Sequence, residues 1–257
     1  MISGKSFYEK CKWNLCNRYP IKFNIQDIKN DDFLFINLDT IYHVISFLDK
    51  SKFDKKVNII THNSDLSFTN DMFLKIKKYV NKVYAINSII KDDNMVKIPL
   101  GFSDRLVDVI SSMMYSNDKK YLMYINFNIH SGRIPERVEC RDYFKKFDWV
   151  KFEDLVPEHQ FYENLMLSKY SACPIGAGLD THRFYESIYF NTIPIVKRND
   201  ISDLYLKFPC IIVDNWDEII YQELVDGYQN NLDNLFKWKE NNDWLNPDFW
   251  MKINENK

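Results

Sequence analysis

SKYSACPIGAGLDTHRFYESIYFNTIPIV, residues Ser168–Val196, is the stretch of sequence that decides how the fold is interpreted. A strand of small residues leads into a glycine-bearing turn, a polar helix start and a second apolar strand, which is the order of a βαβ unit. Gly176 and Gly178 let the backbone approach a ligand closely, and Asp180 or Thr181 can cap the helix. Because the free N–H groups and dipole of a helix start attract anions, the stretch predicts a phosphate-binding unit.

An arginine and a glutamate follow the glycines at a spacing that suits a nucleotide. Arg183 lies in the first helical turn, where its guanidinium can form a positive fork against a diphosphate. Glu186 lies on the same helix face and could accept hydrogen bonds from ribose hydroxyls. Alternatively, the glycines only make a turn, and the two charged residues form a salt pair on a solvated face. The Asp, Thr and His between the glycines and the arginine favour a site for a nucleotide or a nucleotide-sugar.

Two common nucleotide motifs are absent from the sequence. No GxxxxGK followed by Ser or Thr occurs, and GAGLDT lacks the third glycine of the dinucleotide fingerprint. These absences disfavour kinases and dehydrogenases.

Length, charge and cysteine content bound the class of protein. The 257 residues, 46% of them hydrophobic, can build one large domain or two small ones. A net charge of −2 gives no general reason to expect a nucleic-acid partner. The five Cys form no CxxC pair, so we expect free thiols in a reducing compartment rather than disulfides or a zinc site. With no signal peptide and no run of ~20 apolar residues, the sequence predicts a cytoplasmic protein, in the host cytoplasm if the source is viral.

Alternating strand and helix patterns predict two β/α domains in succession. In the first half, strands are predicted at Phe33–Asn37 and Val57–Asp65 and from Lys82, with a helix containing Ile41 and Leu48 between the first two. A second series of strands begins at Tyr121, and further helices occupy the tail. We place the domains at residues 1–116 and 117–230, followed by C-terminal helices at 231–257.

The second half carries a family resemblance. Residues Cys173–Ile219 contain the pattern P-x-G-x-G-x-D-x-x-R-x-x-E, then IPIV, then a strand followed by W-x-E. This segment resembles exostosin-like glycosyltransferases of family 47, in particular the ribitol xylosyltransferase group and its viral and bacterial kin. KIPLGF and the segment with Asn126, Phe127 and Arg137 resemble that group as well. The sequence departs from the pattern at Phe184, Tyr185 and Asn191, where relatives carry Trp and Gly, and this leaves the donor identity open.

The resemblance implies a GT-B fold, in which two Rossmann-like domains face each other across a cleft and the last helices return to the first domain. The first domain would bind the acceptor and the second a nucleotide-sugar, without a metal ion. By position, Arg137 and Arg183 would hold the diphosphate and Glu186 the ribose. The turn from Gly176 to His182 would contact the sugar and phosphates through Gly176, Ala177, Gly178, Asp180, Thr181 and His182.

The implied activity is transfer of a sugar, with xylose a candidate, from a nucleoside diphosphate to a glycan hydroxyl with inversion. A UDP-sugar is favoured over a GDP-sugar, and no further cofactor is expected. Inversion needs a general base from the first domain, and Asp65, Asp39 and His62 follow strand ends there. We favour Asp65, while Asx residues also cap turns. The alternative is a nucleotide-sugar or glycan binding module that has lost turnover.

Overall fold

The computed structural model describes residues 1–113, 118–129 and 134–252. The chain divides into two compact units. The N-terminal unit consists of Met1–Val107 together with the segment from Trp244 onward, and the C-terminal unit is Asp108–Asp243. The boundary predicted between residues 116 and 117 lies outside the described residues.

The N-terminal unit contains a parallel sheet of five strands in the order β1-β2-β3-β4-β5. Its strands are β1 Trp13–Asn14, β2 Phe33–Asn37, β3 Val57–His62, β4 Val80–Ala85 and β5 Met95–Lys97. The helices of this unit are α1 Gly4–Glu9, α2 Ile41–Lys50 and α3 Asn70–Ile76. The next helix, α4 Val107–Ser112, lies almost entirely in the C-terminal unit.

The C-terminal unit also contains a five-stranded parallel sheet, in the order β10-β9-β8-β6-β7. Its strands are β6 Tyr121–Ile125, β7 Val150–Phe152, β8 Ser168–Ala172, β9 Ile193–Lys197 and β10 Ile211–Val213. The helices that follow along the chain are α5 Ile134–Phe144, α6 Glu158–Met166, α7 His182–Tyr189, α8 Ser202–Tyr205, α9 Tyr221–Asn241 and, in the N-terminal unit, α10 Pro247–Lys252.

The strand order of the C-terminal unit reverses at β6. From β6 the chain adds β7 on one side, and it then adds β8, β9 and β10 on the other. The loops after β6 and β8 therefore leave adjacent strand ends in opposite directions. In open parallel sheets such a reversal opens a crevice at the carboxyl ends of the strands, where ligands bind.

Apolar side chains cover both faces of the N-terminal sheet, which explains why its strands are continuous apolar runs. Leu34 and Ile36 belong to a buried cluster with residues of α2 and α3. Phe35, on the opposite face, packs edge-on against the rings of Tyr8 and Tyr19, at 5.9 and 5.7 Å between ring centres. Each such side chain contributes about 1.5–3 kcal/mol by leaving water.

The structure confirms the predicted α/β class, with two successive Rossmann-like β/α units. It differs from the sequence analysis at the N-terminus, where α1 and the edge strand β1 were not predicted. A strand of two residues, Trp13–Asn14, is too short to show any periodicity. Its place in the sheet comes from parallel pairing with Leu34 and Phe35, which is a long-range contact.

In the tail, the helix expected after Pro247 is present as α10. The sequence also suggests one helix ending near Leu224 and another around Leu232–Lys239, and a single helix, α9, covers both regions. This helix runs unbroken for 21 residues through the sequence YQNNLDN, which is poor in helix formers. Leu224 and Leu235 are buried on one of its faces, and this packing outweighs the weak local propensity. In the described residues no helix is long and apolar enough to span a membrane.

Candidate functional site

The candidate site lies at the carboxyl ends of β6 and β8, where the strand order reverses. The loop after β6 contains Asn126, Phe127 and Asn128, and the turn after β8 runs through the two glycines. Two arginines reach this point, Arg137 from α5 and Arg183 from α7. The glycine turn and both predicted phosphate ligands therefore belong to one edge of one sheet.

Arg137 joins the two loops of the site. Its Nε donates to the Ile175 carbonyl oxygen at 2.9 Å, and its Nη1 donates to the Asn128 carbonyl oxygen at 2.7 Å. Burial, followed by the nearby charge of Arg183, lowers the pKa of Arg137 to about 10, which keeps it charged at neutral pH. A Cβ on Gly176 would lie 2.9 Å from Nη2 of Arg137, so the glycine makes room for the guanidinium.

Arg183 is held in a different way, between two aromatic rings. Its Cζ lies 5.6 Å from the ring centre of Phe127 and 5.2 Å from that of Phe161. Its Nε is buried without a hydrogen-bond partner, and within the described part of the chain the guanidinium forms neither a hydrogen bond nor an ion pair. The salt pair with Glu186 that the sequence allowed is therefore not formed. Because a buried N–H without a partner costs stability, this group is suited to an anionic ligand.

Glu186 is a buried acceptor on α7, the helix that also carries Arg183. Its side chain is 5% exposed, and Tyr162 donates a hydrogen bond from its hydroxyl to Oε1 at 3.0 Å. Burial raises the pKa of Glu186, while the charges of His182 and Arg183 act against that rise. Among the described residues, Tyr162 is the only hydrogen-bond partner of the Glu186 carboxylate. The carboxylate thus retains capacity for hydroxyl donors.

Asp180 fixes the shape of the glycine turn. Its Oδ1 accepts from the Thr181 N–H at 2.8 Å and from the Tyr205 hydroxyl at 3.1 Å, and its Oδ2 accepts from the Tyr185 hydroxyl at 2.5 Å. These partners join the turn to α7 and α8. Because the Asp180 side chain is buried and bonded to both helices, it acts as a structural anchor of the turn.

The remaining residues of the turn differ in exposure. Ala177 is exposed, and the Gly176 N–H donates to the Gly178 carbonyl oxygen at 3.1 Å. Thr181 is the residue before the first turn of α7, yet its side chain makes no capping hydrogen bond. His182 begins the helix and is half-buried. The first-turn amides of α7 are therefore not covered by the threonine hydroxyl.

The three candidate bases lie in the N-terminal unit at the carboxyl ends of β2 and β3. His62 ends β3 and is 1% exposed, with its Nδ1 accepting the Asn63 N–H at 2.9 Å. Asp39 is exposed and accepts a hydrogen bond from the Ser64 hydroxyl at 2.7 Å. Asp65 is exposed as well. Solvent thus reaches the two carboxylates, whereas the imidazole lies in the interior of its unit.

The sequence analysis assigned no site role to α6, although two of its residues contact the predicted ligands. Phe161 contacts the guanidinium of Arg183, and Tyr162 contacts the carboxylate of Glu186. Their spacing on α6 carries no motif, and only the pairing of β6 with both β7 and β8 brings this helix to the site. His130, which follows β6 in the sequence, lies outside the described residues.

Comparisons with known proteins bear on the fold. No protein-family model and no curated protein sequence matches the chain. A solved structure of an α,α-trehalose-phosphate synthase (UDP-forming) from Burkholderia vietnamiensis has a TM-score of 0.52 at 10% identity, covering 88% of this chain and 72% of that one. The chain has the GT-B fold. The N-terminal domain of trehalose-6-phosphate phosphatase from Candida albicans also has this similarity, with a TM-score of 0.50 at 8% identity over 82% of this chain and 68% of that one.

At these identities the similarity concerns the GT-B fold alone, and the exostosin-like resemblance stays a prediction. Within residues 1–113, 118–129 and 134–252, no group of three or more His, Cys, Asp or Glu side chains could hold a metal ion.

Proposed function

We propose that the protein is a glycosyltransferase that binds a nucleoside diphosphate sugar in the C-terminal unit and transfers the sugar to a glycan hydroxyl. The observation that carries the proposal is the guanidinium of Arg183, which is charged, partly buried and without a hydrogen-bond or ion-pair partner in the described residues. Arg137 adds a second positive charge at the same strand ends. A diphosphate supplies the negative charge and the acceptor oxygens that this arrangement lacks.

The proposed chemistry follows from where charge develops. When the sugar leaves, negative charge accumulates on the diphosphate, and donors fixed before the reaction stabilise it without reorganising. Arg183, Arg137 and the first-turn amides of α7 are such donors. Glu186 would accept hydrogen bonds from the ribose hydroxyls, a role that suits a carboxylate with one tyrosine partner. In this scheme no metal ion is needed to neutralise the diphosphate.

Two observations support the identity of the donor. The GT-B structure from Burkholderia vietnamiensis is named as UDP-forming, which favours UDP over GDP as the nucleotide here. The family resemblance of Cys173–Ile219 favours a pentose such as xylose. We therefore propose a UDP-sugar, with UDP-xylose as the first donor to test.

For the acceptor we propose the N-terminal unit, residues 1–116 in the sequence analysis, with Asp65 as the general base and an inverting mechanism. Asp65 is exposed at the end of β3, as a base that must meet a substrate hydroxyl has to be. Asp39 is the second candidate, because its carboxylate is also exposed. His62 comes last, since its ring is buried.

The test measures nucleotide binding and turnover separately. Calorimetry with UDP and with GDP gives affinities for the wild type, for Arg183→Ala and for Arg198→Ala, a matched control whose exposed guanidinium pairs with Asp214. Loss of Arg183 should weaken UDP binding by about 1.5–3 kcal/mol, the worth of a charge-assisted hydrogen bond. The Arg198 variant should bind as the wild type does. Unchanged affinity in Arg183→Ala would contradict the phosphate assignment.

Turnover is followed as UDP release from UDP-xylose and UDP-glucose in the presence of a panel of glycan acceptors. Release that depends on an acceptor supports the glycosyltransferase. Tight UDP binding without release from any donor and acceptor pair would instead support the alternative, a nucleotide-sugar binding module.

A further inference from the structure

The two rings that flank Arg183 are themselves firmly placed. Phe127 is 7% exposed and follows β6. Phe161 lies on α6, with its ring centre 5.9 Å from that of Tyr124 and 5.0 Å from that of Tyr162. Tyr124 in turn donates a hydrogen bond from its hydroxyl to Glu153 at 3.1 Å. The guanidinium therefore lies between rings that are held from two different parts of the site.

Contact with two aromatic rings differs from a salt bridge in what it leaves available on Arg183. A carboxylate partner would engage two of the five N–H donors and neutralise the charge. An aromatic face attracts the guanidinium through the ring quadrupole and uses none of those donors. The rings thus give Arg183 a fixed position while its hydrogen-bonding capacity stays free.

Arg137 provides the contrast within the same site. Two backbone carbonyls hold it, those of Ile175 and Asn128, and its Cζ lies 5.9 Å from the ring centre of Phe127. Phe127 therefore contacts both guanidinium groups. Phe161 contacts that of Arg183, and its truncation is the cleaner perturbation.

We propose that Phe127 and Phe161 are positioning residues for Arg183, which keep its guanidinium fixed and un-neutralised so that it can bind the diphosphate of the donor. The inference rests on the proposed function, because it assigns Arg183 to a diphosphate. Because the rings hold the guanidinium, Arg183 needs no carboxylate partner in the described chain to fix its position. Donor binding then depends on both Phe127 and Phe161.

The experiment is a double-mutant cycle on UDP affinity, measured by calorimetry. The variants are Phe161→Leu, Arg183→Ala and the pair together, with Phe161→Tyr as the control that keeps the aromatic face. Loss of the ring should raise the Kd for UDP about 5- to 30-fold, the range that a desolvated cation–π contact allows. Phe161→Tyr should stay within about twofold of the wild type, because the ring face that attracts the guanidinium is retained. In the Arg183→Ala background, Phe161→Leu should have no further effect.

The outcomes separate this inference from the proposed function. Equal weakening by Phe161→Leu in both backgrounds would mean that the ring acts on the fold and not through Arg183, and would overturn the positioning role. An unchanged Kd in Phe161→Leu, with weak binding in Arg183→Ala, would overturn it while leaving the proposed function intact. An unchanged Kd in Arg183→Ala would overturn both. Thermal melts check folding, and Phe161→Met serves the same cycle if the leucine variant melts near the assay temperature.

Discussion

Replacing Arg137 by methionine should destabilise the protein, whereas replacing Arg183 by methionine should leave its stability nearly unchanged. Methionine keeps most of the length and apolar surface of the side chain and removes the charge. In Arg137→Met, two backbone carbonyls lose a charged donor, since Arg137 bonds to Ile175 and Asn128 at 2.9 and 2.7 Å. In Arg183→Met, no hydrogen bond or ion pair to the described chain is lost.

The magnitudes follow from these contacts. Hydrogen bonds to charged groups contribute about 1.5–3 kcal/mol each, so Arg137→Met should cost about 3 kcal/mol or more. Removal of Arg183 relieves a buried, unpartnered N–H worth about 1–3 kcal/mol, along with the repulsion from Arg137. It forfeits two ring contacts of about 0.5–1 kcal/mol each. The contributions of Arg183 nearly cancel, so Arg183→Met should leave the free energy of unfolding almost unchanged.

The assay is thermal denaturation of both variants with and without UDP. At about 2–4 °C per kcal/mol, Arg137→Met should lower the Tm by about 6 °C or more, and Arg183→Met should shift it by less than about 3 °C. UDP at a hundredfold excess over Kd should stabilise the wild type by about 2.7 kcal/mol, and this shift should shrink in Arg183→Met. If Arg183→Met destabilises the protein as much as Arg137→Met does, Arg183 has a structural partner and the unpaired-charge reasoning is wrong.

Three further predictions concern other parts of the molecule. Asp65→Asn should leave UDP affinity intact and lower the transfer rate by about 10²–10⁴-fold. If Asp65→Asn is instead active and Asp39→Asn shows this loss, Asp39 is the general base. Gly176→Ala should weaken UDP binding about fivefold in calorimetry, because its Cβ would lie 2.9 Å from Nη2 of Arg137; wild-type affinity would mean that the guanidinium can move aside. Burial lowers the pKa of Lys239 to about 8, so on raising the pH the folded protein releases this proton before the unfolded chain does. Urea titrations should therefore show the wild type gaining stability relative to Lys239→Met between about pH 8 and pH 10.5, by at most about 3 kcal/mol. A difference that is constant with pH would contradict the last of these.

Local patterns predicted most of the elements of the fold. The helix α2 follows from Ile41, Val44, Ile45 and Leu48, which recur at helical spacing and are all buried. The apolar run of β2, Phe33–Asn37, has the bounds that were predicted. In both cases burial follows the period of the sequence, so a local pattern carries the information.

The order of the strands in the sheets, by contrast, depends on pairing between distant parts of the chain. Pairing of β6 with both β7 and β8 joins Met123 to Val150 and to Tyr170, residues far apart in the chain. Nothing in the local pattern around β6 specifies these partners. The positions of Phe161 and Tyr162 in the site depend on this pairing, and so the sequence analysis missed them. The donor-binding role of Asp180 stays a prediction, to which the structure adds that its carboxylate accepts hydrogen bonds from Thr181 and two tyrosines.

The two ends of α7 each carry a cation, in opposite electrostatic settings. At its carboxyl end, Lys239 donates to the carbonyl oxygens of Ile188 and Tyr189, at 3.2 and 3.1 Å, where the helix dipole favours a cation. At its amino end lies another cation, Arg183, in the first turn, where the dipole disfavours positive charge. The first turn contains no acidic residue, and Thr181 does not cap it. A placement that is unfavourable to the folded protein alone becomes favourable once an anion binds between the guanidinium and the helix amides, and a diphosphate is such an anion.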